Sequence, residues 1–276
     1  MFHAWYNHES NERGNYMSSP VIIAVTNQKG GVGKTTTSIN IAYCLHKAGK
    51  RVLLIDFDPQ GNATSGLGFE KDQLSHTVLD VIRQQVPIQD TILTTAYKQF
   101  DHVPSTPELA NAEVELARAE RRFIRLKMAL ADLEGYDYVI IDSPPSLSLL
   151  TVNVLIGARF VLLPVQAEFY ALEGLGQLLE TMQLVRKGLN PTLDLIGVLV
   201  TMMDTRTTLS KQVYEEVKKH FPGKVFETVI PRNVRIAEAP SHGLPVGAYD
   251  SWSKGARAYK HVTKEVMNRV EEKGAA

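Results

Sequence analysis

Cysteine is nearly absent from this sequence, since Cys44 is the only one in 276 residues. A single thiol excludes a disulfide framework, a cysteine-ligated metal site and an iron–sulfur ligand set within one chain. Long apolar runs are lacking too: no stretch approaches the roughly 20 residues that a membrane-spanning helix needs, and residues 1–19 hold no apolar segment typical of a secretory signal. We therefore expect a soluble, cytoplasmic protein without a membrane partner.

The chain also lacks a net charge, because 30 Lys and Arg residues balance 30 Asp and Glu residues. The charges are unevenly distributed along the chain: acidic residues exceed basic ones in residues 1–200, and basic residues exceed acidic ones in residues 201–276. Net charge and its distribution govern non-specific binding to charged partners. An anionic macromolecule is therefore expected to contact the last quarter of the chain.

With 44% apolar residues, a chain of this length can bury a full core as one large α/β domain. No linker divides it, so we expect one domain over residues 20–276, preceded by a disordered extension over residues 1–19. Short apolar runs alternate with helical patterns, which predicts an α/β fold with a mainly parallel twisted sheet and helices on both faces. The predicted strands are 21–26, 52–55, 138–141, 160–165, 195–201 and 225–230, and the predicted helices include 36–48, 107–133 and 256–270.

A glycine-rich segment between the first strand and the first helix is the most informative part of the sequence: Lys29-Gly30-Gly31-Val32-Gly33-Lys34-Thr35-Thr36. Glycines permit positive φ, so backbone N–H groups can turn inward around an anion. The positive N-terminus of the following helix favours the same ligand. Strand, glycine turn, lysine, hydroxyl and helix in this order predict binding of nucleotide phosphates. The strict pattern has a glycine where Gln28 stands, and Lys29 is an additional lysine.

Phosphoryl chemistry requires charge neutralisation, a metal ion and an oriented water molecule. Lys34 is positioned to contact the β- and γ-phosphates. The Thr35 hydroxyl is positioned to ligate Mg²⁺, which prefers oxygen ligands. The apolar run 138–141 ends at Asp142, the arrangement by which a carboxylate reaches the metal through its water shell. We predict a magnesium site at this strand end.

A second apolar run, 52–55, ends at two further carboxylates, Asp56 and Asp58. Side chains alternate along a strand, so these two point to the same face. We predict that Asp56 belongs to the metal site. Asp58 lies farther from the strand and is better placed to orient or deprotonate the attacking water.

The glycine loop and the acidic strand ends, in the order in which they follow one another, resemble the ParA/Soj family of chromosome and plasmid partitioning ATPases. This family lies within the MinD-like group with a deviant Walker A loop. The resemblance extends over residues 21–270 and is carried by five segments: 27–37, 56–62, 141–146, 168–174 and 230–235. It implies a P-loop NTPase-type fold, ATP and Mg²⁺ as ligands, and ATP hydrolysis. It also implies a homodimer that encloses the nucleotides, in which Lys29 reaches phosphates held by the partner subunit.

The same resemblance assigns further residues to the site. Nucleotide contacts extend over the whole loop from Lys29 to Thr36. Pro231 and Asn233 match the segment beside the adenine, and Glu168 matches a position near the nucleotide or the partner subunit. Arg206 and Arg235 match positions at which chromosomal members contact DNA. Neighbouring lysines complete the predicted DNA-binding set: Lys211, Lys218, Lys219 and Lys224.

This resemblance implies that the protein is nucleoid-associated and acts in chromosome or plasmid segregation. The ATP-bound dimer binds double-stranded DNA without sequence specificity and is released by hydrolysis, which a ParB/Spo0J-type centromere-binding protein stimulates. No arginine is clearly placed as a finger, so the basal rate is expected to be slow. The short segment before the first strand leaves no room for the helix-turn-helix domain of many plasmid versions, so base-specific recognition is not expected.

Two other functions remain open at this point. A MinD-like ATPase of division-site placement cycles on and off membranes through an amphipathic tail, which residues 271–276 do not supply. A nucleotide-dependent scaffold that positions other cargo would use the same dimer.

Overall fold

The computed structural model describes residues 19–168 and 175–274. Its strands are β1 (Val21–Val25), β2 (Val52–Asp56), β3 (Leu93–Thr94), β4 (Phe100–Val103), β5 (Tyr138–Asp142), β6 (Phe160–Gln166) and β7 (Asp194–Thr201). They form one sheet in the order β3-β4-β2-β5-β1-β6-β7. Short β3 pairs antiparallel with β4, whereas the other pairs are parallel. The predicted α/β fold with a mainly parallel sheet is confirmed.

Helices connect the strands. They are α1 (Lys34–Lys47), α2 (Asn62–Gly66), α3 (Val78–Ile82), α4 (Asn111–Glu115), α5 (Arg125–Ala131), α6 (Leu149–Gly157), α7 (Leu175–Gly188), α8 (Thr208–His220), α9 (Val234–Glu238), α10 (Val246–Tyr249) and α11 (Lys254–Gly274). Short 3₁₀ turns lie at Lys71–Gln73, Ile88–Thr91, Pro107–Ala110 and Ala239–His242. Among the described helices, none is both long and apolar enough to cross a bilayer.

Successive residues of the central strands are buried on opposite faces of the sheet. In β2, Leu53 and Ile55 join an apolar core that contains residues of α3 to α8. Val52 and Leu54 join a second core with residues of α1, α10 and α11. Burial on both faces explains why these strands read as continuous apolar runs instead of alternating patterns.

The C-terminal helix packs through the apolar stripe that its sequence predicts. Tyr259, Val262, Val266 and Val270 are buried in the second core. The Tyr259 hydroxyl lies 3.3 Å from the Thr37 hydroxyl of α1. Helix α11 therefore covers the same sheet face as the helix that follows the glycine loop.

The long helix predicted over residues 107–133 is wrong. A 3₁₀ turn, α4 and α5 occupy this region, and Arg121 between the helices has φ of 56°. A right-handed helix cannot continue through a left-handed residue. Asn153 of α6 stabilises the break, because its Nδ2 donates to the Arg122 carbonyl and its Oδ1 accepts from the Leu126 amide. This partner is 27 or more residues away in sequence, so the local pattern does not reveal it.

The strand predicted over residues 225–230 is also wrong. Only an isolated bridge joins Val225 to Val198 of β7. The amides of Glu227 and Thr228 donate to the Glu265 carboxylate of α11, at 2.8 and 2.9 Å, and not to a neighbouring strand. Strands β3 and β4 were not predicted. β3 has only two residues, and the two middle residues of β4 are polar, Asp101 and His102.

Two predictions fall on residues outside the described ranges. The extension over 1–19 lies there except for its last residue, and so does most of the family-like segment 168–174. Both stay predictions.

Gly197 of β7 is expected to tolerate no side chain. A Cβ atom there would lie 2.5 Å from Cε2 of Phe226 and would also meet the Arg269 guanidinium, which is fixed because it donates to the carbonyls of Ile196, Lys224 and Val225. Gly197→Ala should therefore lower the free energy of unfolding by about 1–3 kcal/mol, measured by urea denaturation. Gly188→Ala is the matched control, since nothing lies within 4 Å of that Cβ position. Equal stability of the two variants would contradict the packing assignment.

Candidate functional site

Carboxyl ends of three adjacent strands bring the predicted acidic residues to one edge of the sheet. Asp142 at the end of β5 is the register partner of Val25 on one side and of Asp56 on the other. Asp56 and Asp142 are both fully buried, and Asp58 is 5% exposed. Ligands of open parallel sheets bind outside the carboxyl ends of the strands. The observed edge is therefore the expected place for a ligand.

Residues 26–33 form a turn between β1 and α1 that is fixed from two neighbouring strands. Asn27 donates from Nδ2 to the Pro164 carbonyl of β6 at 2.7 Å, and its Oδ1 accepts from the Lys29 amide at 3.0 Å. Thr201 of β7 donates to the carbonyl of buried Val32 at 2.8 Å. The loop is therefore preorganised by the sheet.

Two of the three loop glycines use the conformational freedom that glycine offers. Gly31 and Gly33 have φ of 74° and 87°, whereas Gly30 does not adopt positive φ. Gly33 is the N-cap residue of α1 and has no side chain to satisfy the first amides of the helix. Those amides and the helix dipole together form a favourable site for an anion.

Lys34 opens α1 and is 7% exposed. Its Nζ donates to the Lys29 carbonyl at 3.0 Å, across the mouth of the loop. Burial lowers the pKa of Lys34 below its ordinary value, while the negative charges of Asp142 and Asp58 oppose that shift. The ammonium group is therefore held between the loop and the acidic strand ends. Lys29 itself is half-buried.

Asp142 offers an oxygen atom for a further ligand. Its Oδ1 accepts from the Ser38 hydroxyl at 2.9 Å, while its buried Oδ2 has no hydrogen-bond partner among the described residues. Burial raises the pKa of Asp142, and the charge of neighbouring Asp56 raises it further. A buried carboxylate oxygen without a donor fits a cation or its water shell.

These residues do not form a complete protein cage for a metal. Within the described ranges, no group of three or more His, Cys, Asp or Glu residues is arranged to hold one. Mg²⁺ commonly keeps several waters and uses one or two protein ligands together with phosphates. Asp142 and the Thr35 hydroxyl fit such a partial site.

Asp56 has a different environment. Both of its carboxylate oxygens accept hydrogen bonds within the protein: Oδ1 from the Asp58 amide at 3.2 Å, and Oδ2 from the amide and hydroxyl of Thr64 at 2.9 and 2.8 Å. Asp56 thus orders the turn that follows β2 and offers less to a metal than Asp142 does. Its assignment to the metal site stays a prediction.

Asp58 lies in the turn between β2 and α2. Its Oδ1 accepts from the Gln60 amide at 2.9 Å, and its carbonyl accepts from the Ser105 hydroxyl at 2.8 Å. Burial raises the pKa of Asp58, whereas the Gln60 hydrogen bond and the charges of Lys34 and Lys71 lower it. The carboxylate therefore lies within electrostatic reach of two lysines, as a group that orients water beside a phosphate requires.

Two cavities that share Thr36 and Pro240 adjoin the start of α1. One, of about 340 Å³, is lined by Gly33, Thr36, Pro231, Asn233 and Tyr259 among others. The other, of about 420 Å³, lies between Thr35 and α2. The structure thus brings the two residues predicted beside the adenine, Pro231 and Asn233, next to the glycine loop.

Glu168 forms an ion pair with a residue that lines the smaller of these cavities. Its Oε1 is 3.7 Å from Arg232 Nη2, and Arg232 lines the smaller cavity. Met202, another lining residue, has φ of 51°. Non-glycine residues with positive φ carry backbone strain and cluster at ligand sites.

The predicted DNA-binding residues do not share one environment. Arg206 is bound by Asp204, with Nη2 to Oδ2 at 2.8 Å, and Arg235 pairs with Glu238 at 2.9 Å and with Asp250 at 3.4 Å. Three lysines lie exposed along α8: Lys211, Lys218 and Lys219. Lys219 is 3.3 Å from the Glu216 carboxylate.

Lys224 differs from the other cations, because it is half-buried. Its Nζ donates to the Leu195 carbonyl at 3.3 Å and lies 3.8 Å from Asp194. These contacts attach the end of the segment after α8 to β7. A DNA contact by Lys224 is therefore less favoured than one by the three exposed lysines.

Sequence reasoning missed the residues that support the predicted ones. Ser38 lies one helical turn after Lys34, so an i, i+4 count from the loop lysine would have found it. Asn27 and Thr201 anchor the loop, and Thr64 and Ser105 anchor the acidic turn. Contacts of this kind join distant parts of the chain and leave no local signal.

Burial of Asp142 predicts how stability depends on pH in the absence of nucleotide and Mg²⁺. Its folded-state pKa lies above the unfolded value, so above about pH 4 the folded state binds more protons. The free energy of unfolding should therefore fall as pH rises, by up to about 1.4 kcal/mol per pH unit from this group. In Asp142→Asn, urea denaturation at about pH 5 and about pH 7 should give a smaller difference than in the wild type.

Asp90→Asn, at an exposed position, is the control and should keep the wild-type dependence. An unchanged slope in Asp142→Asn would contradict the burial argument.

A protein-family model described as an AAA domain matches residues 21–195. The sporulation initiation inhibitor protein Soj of Bacillus subtilis is 56% identical over 246 residues, which cover 89% of this chain and 97% of Soj. The chromosome partitioning protein ParA of Myxococcus xanthus is 50% identical over 249 residues, which cover 90% of this chain and 88% of ParA.

Among solved structures, cobyrinic acid a,c-diamide synthase from Mycobacterium smegmatis, with a bound ATP analogue and magnesium, superposes with a TM-score of 0.81 at 38% identity. The match covers 91% of this chain and 96% of that one. Identity to Soj and ParA is higher than identity to the synthase. With the glycine loop and the buried acidic strand ends that the structure brings together, the chain belongs to the ParA/Soj family of chromosome-partitioning P-loop ATPases.

Proposed function

We propose that this protein is an ATP-dependent segregation protein, in which an ATP-bound homodimer binds DNA without sequence specificity and hydrolysis releases it. The observation that carries the proposal is the convergence of the glycine loop, Lys34, Asp58 and Asp142 at one sheet edge. Membership of the ParA/Soj family supports it. The same convergence favours ATP hydrolysis over a purely structural role for the nucleotide.

ATP would lie with its phosphates on the loop from Lys29 to Thr36 and with its adenine in the cavity beside Pro231 and Asn233. Bound Mg²⁺ would supply charge neutralisation to the β- and γ-phosphates. Thr35 and the unpartnered oxygen of Asp142 would hold it. Lys34 would exchange its contact with the Lys29 carbonyl for a phosphate oxygen, since both are acceptors at the loop mouth.

Asp58 would act on the attacking water. Its carboxylate would accept a proton or a hydrogen bond from that water and turn the lone pair of the water toward the γ-phosphorus. The Gln60 amide donates to Asp58 and orients one of its oxygens. No arginine is clearly placed as a finger, so a slow basal rate is expected, and stimulation by a ParB/Spo0J-type partner would act on this turn.

Lys29 would complete the site of the partner subunit. Its amide is fixed by Asn27, and the residue is half-buried. An ammonium group in this position can neutralise phosphate charge across a dimer interface. Because ATP presents more negative charge than ADP, the closed dimer would be favoured by ATP.

DNA binding would rest on exposed cations of residues 201–276 and on the joining of two such surfaces in the dimer. Non-specific binding requires only contacts to phosphates. Arg206 and Arg235 are paired with carboxylates in the single chain, and exposed pairs of this kind are weak. DNA phosphates would therefore compete for both arginines, and the protein would be nucleoid-associated in the cytoplasm.

The MinD-like alternative receives less support. Of the two relatives described above, one is a Soj protein and the other is a ParA protein. In addition, helix α11 packs its apolar stripe on the second core. That stripe is therefore not available to insert into a lipid surface.

The nucleotide switch predicts opposite behaviour of two variants. Asp58→Ala should remain dimeric and DNA-bound with ATP, because it binds nucleotide but turns it over at least about 100-fold more slowly. Lys29→Ala should stay monomeric with ATP and bind DNA weakly. Sedimentation and DNA binding with ATP, ADP and no nucleotide measure both outcomes.

Wild-type protein that binds DNA equally well with ADP and ATP would exclude the switch. Rapid turnover in Asp58→Ala would remove Asp58 from the catalytic role. Flotation of the wild type with liposomes in the presence of ATP would favour the membrane-cycling alternative instead.

Salt dependence tests the two arginines. Arg206→Ala and Arg235→Ala should each weaken ATP-dependent DNA binding equally on different sequences and reduce the slope of log K against log salt by about one per subunit. Arg118→Ala is the control, since Arg118 is exposed between α4 and α5. An unchanged slope in both arginine variants would contradict their assignment.

A further inference from the structure

A lysine that the sequence motifs did not single out reaches the acidic turn after β2. Lys71 is the first residue of the 3₁₀ turn Lys71–Gln73, beyond α2. Its Nζ donates to the Gln60 carbonyl at 2.6 Å. After α2 the chain turns back, so that the Lys71 ammonium group contacts the segment that carries Asp58.

Gly61 provides the space that this contact needs. Its φ is 59°, and a Cβ atom there would lie 2.6 Å from Lys71 Cε and 2.7 Å from the Ser105 carbonyl oxygen. Real Cβ atoms do not approach other atoms this closely. The lysine side chain therefore passes directly over Gly61, in a space that any other residue would fill.

The turn is held from the opposite side as well. Ser105, which follows β4, donates from its hydroxyl to the Asp58 carbonyl at 2.8 Å, and its amide donates to the Thr64 hydroxyl at 3.0 Å. Ser105 thus fixes the start of the turn, and Lys71 fixes its third residue. Between these two attachments the Asp58 carboxylate has little freedom to move.

Lys71 also contributes charge. It lies close enough to Asp58 for its positive charge to stabilise the carboxylate, as Lys34 does from the other side. A nucleotide on the loop would bring further negative charge to this place, and a second cation would reduce the repulsion between phosphate and carboxylate.

We propose that Lys71 is a positioning residue for ATP hydrolysis, which holds the turn 58–61 in place and keeps the Asp58 carboxylate directed at the attacking water. This inference rests on the role of Asp58 in the proposed function. Lys71 does not line either of the two cavities beside α1, and its hydrogen bond is to the Gln60 carbonyl. It should therefore affect turnover and not the binding of ATP.

The test separates kcat from KM. Lys71→Met should lower kcat for ATP about tenfold and leave both KM and the affinity for a fluorescent ATP analogue within about twofold of wild type. Lys71→Arg should restore most of kcat, because a guanidinium can donate to the same carbonyl. Gly61→Ala should lower kcat in the same way, since its methyl group displaces the lysine. Lys98→Met, at an exposed position next to β4, is the matched control and should turn over ATP like the wild type.

A double variant tests whether Lys71 acts through Asp58. Asp58→Asn combined with Lys71→Met should be no slower than Asp58→Asn alone, because the two residues form one unit. Wild-type kcat in Lys71→Met, a parallel loss of analogue affinity, failure of Lys71→Arg to restore turnover, or additive losses in the double variant would each overturn the proposal.

Failure of this proposal is distinguishable from failure of the proposed function. Wild-type turnover in Asp58→Asn would overturn the role of Asp58. Lost turnover in Asp58→Asn together with wild-type turnover in Lys71→Met would overturn the role of Lys71 alone.

Discussion

Two carboxylates buried side by side, Asp56 and Asp142, set the main constraint on this structure. They are register partners at the ends of β2 and β5, and neither is exposed to solvent. Adjacent buried charges of one sign are costly unless donors or cations compensate them. The surrounding fold supplies more hydrogen-bond donors to Asp56 than to Asp142, and this difference leaves an oxygen of Asp142 open for a ligand.

Asp56 is compensated by the protein itself. Thr64 donates two hydrogen bonds to it, and the Asp58 amide donates a third. These bonds fix the turn after β2 and therefore the place of Asp58. Asp142 accepts from the Ser38 hydroxyl, the Thr35 hydroxyl is also close enough to stabilise its charge, and the positive charge of Lys34 lies near it. One acid thus builds the turn, and the other is left with an oxygen suited to a cation.

The sheet transmits this arrangement to the glycine loop. Asn27 and Thr201 attach the loop to β6 and β7, so the anion site and the acidic strand ends are held by the same rigid element. Sites on such elements are more precise than sites on free loops. A switch that responds to one phosphate group requires this precision, because ATP and ADP differ only there.

Much of the fold and the centre of the site could be predicted from the sequence. The strands that carry the site are buried on both faces and read as apolar runs, and the glycine loop and Asp142 follow such runs directly. The helix predicted over 107–133 is interrupted by a break that Asn153 stabilises. The strand predicted over 225–230 is interrupted where the amides of Glu227 and Thr228 donate to Glu265. Both partners are distant in sequence, so no local pattern contains them.

The chemistry of this protein can be recognised from residue types and their order: a glycine loop with two lysines, three carboxylates after apolar strands, and a basic last quarter. Residue type and spacing are enough for that, since local backbone geometry follows from them. Which carboxylate has its hydrogen bonds satisfied and which keeps an open oxygen depends on the fold. The fold also brings Lys71 to the acidic turn after β2 and ties Lys224 to β7. Such facts depend on through-space neighbours, which folding brings together and chain order does not record.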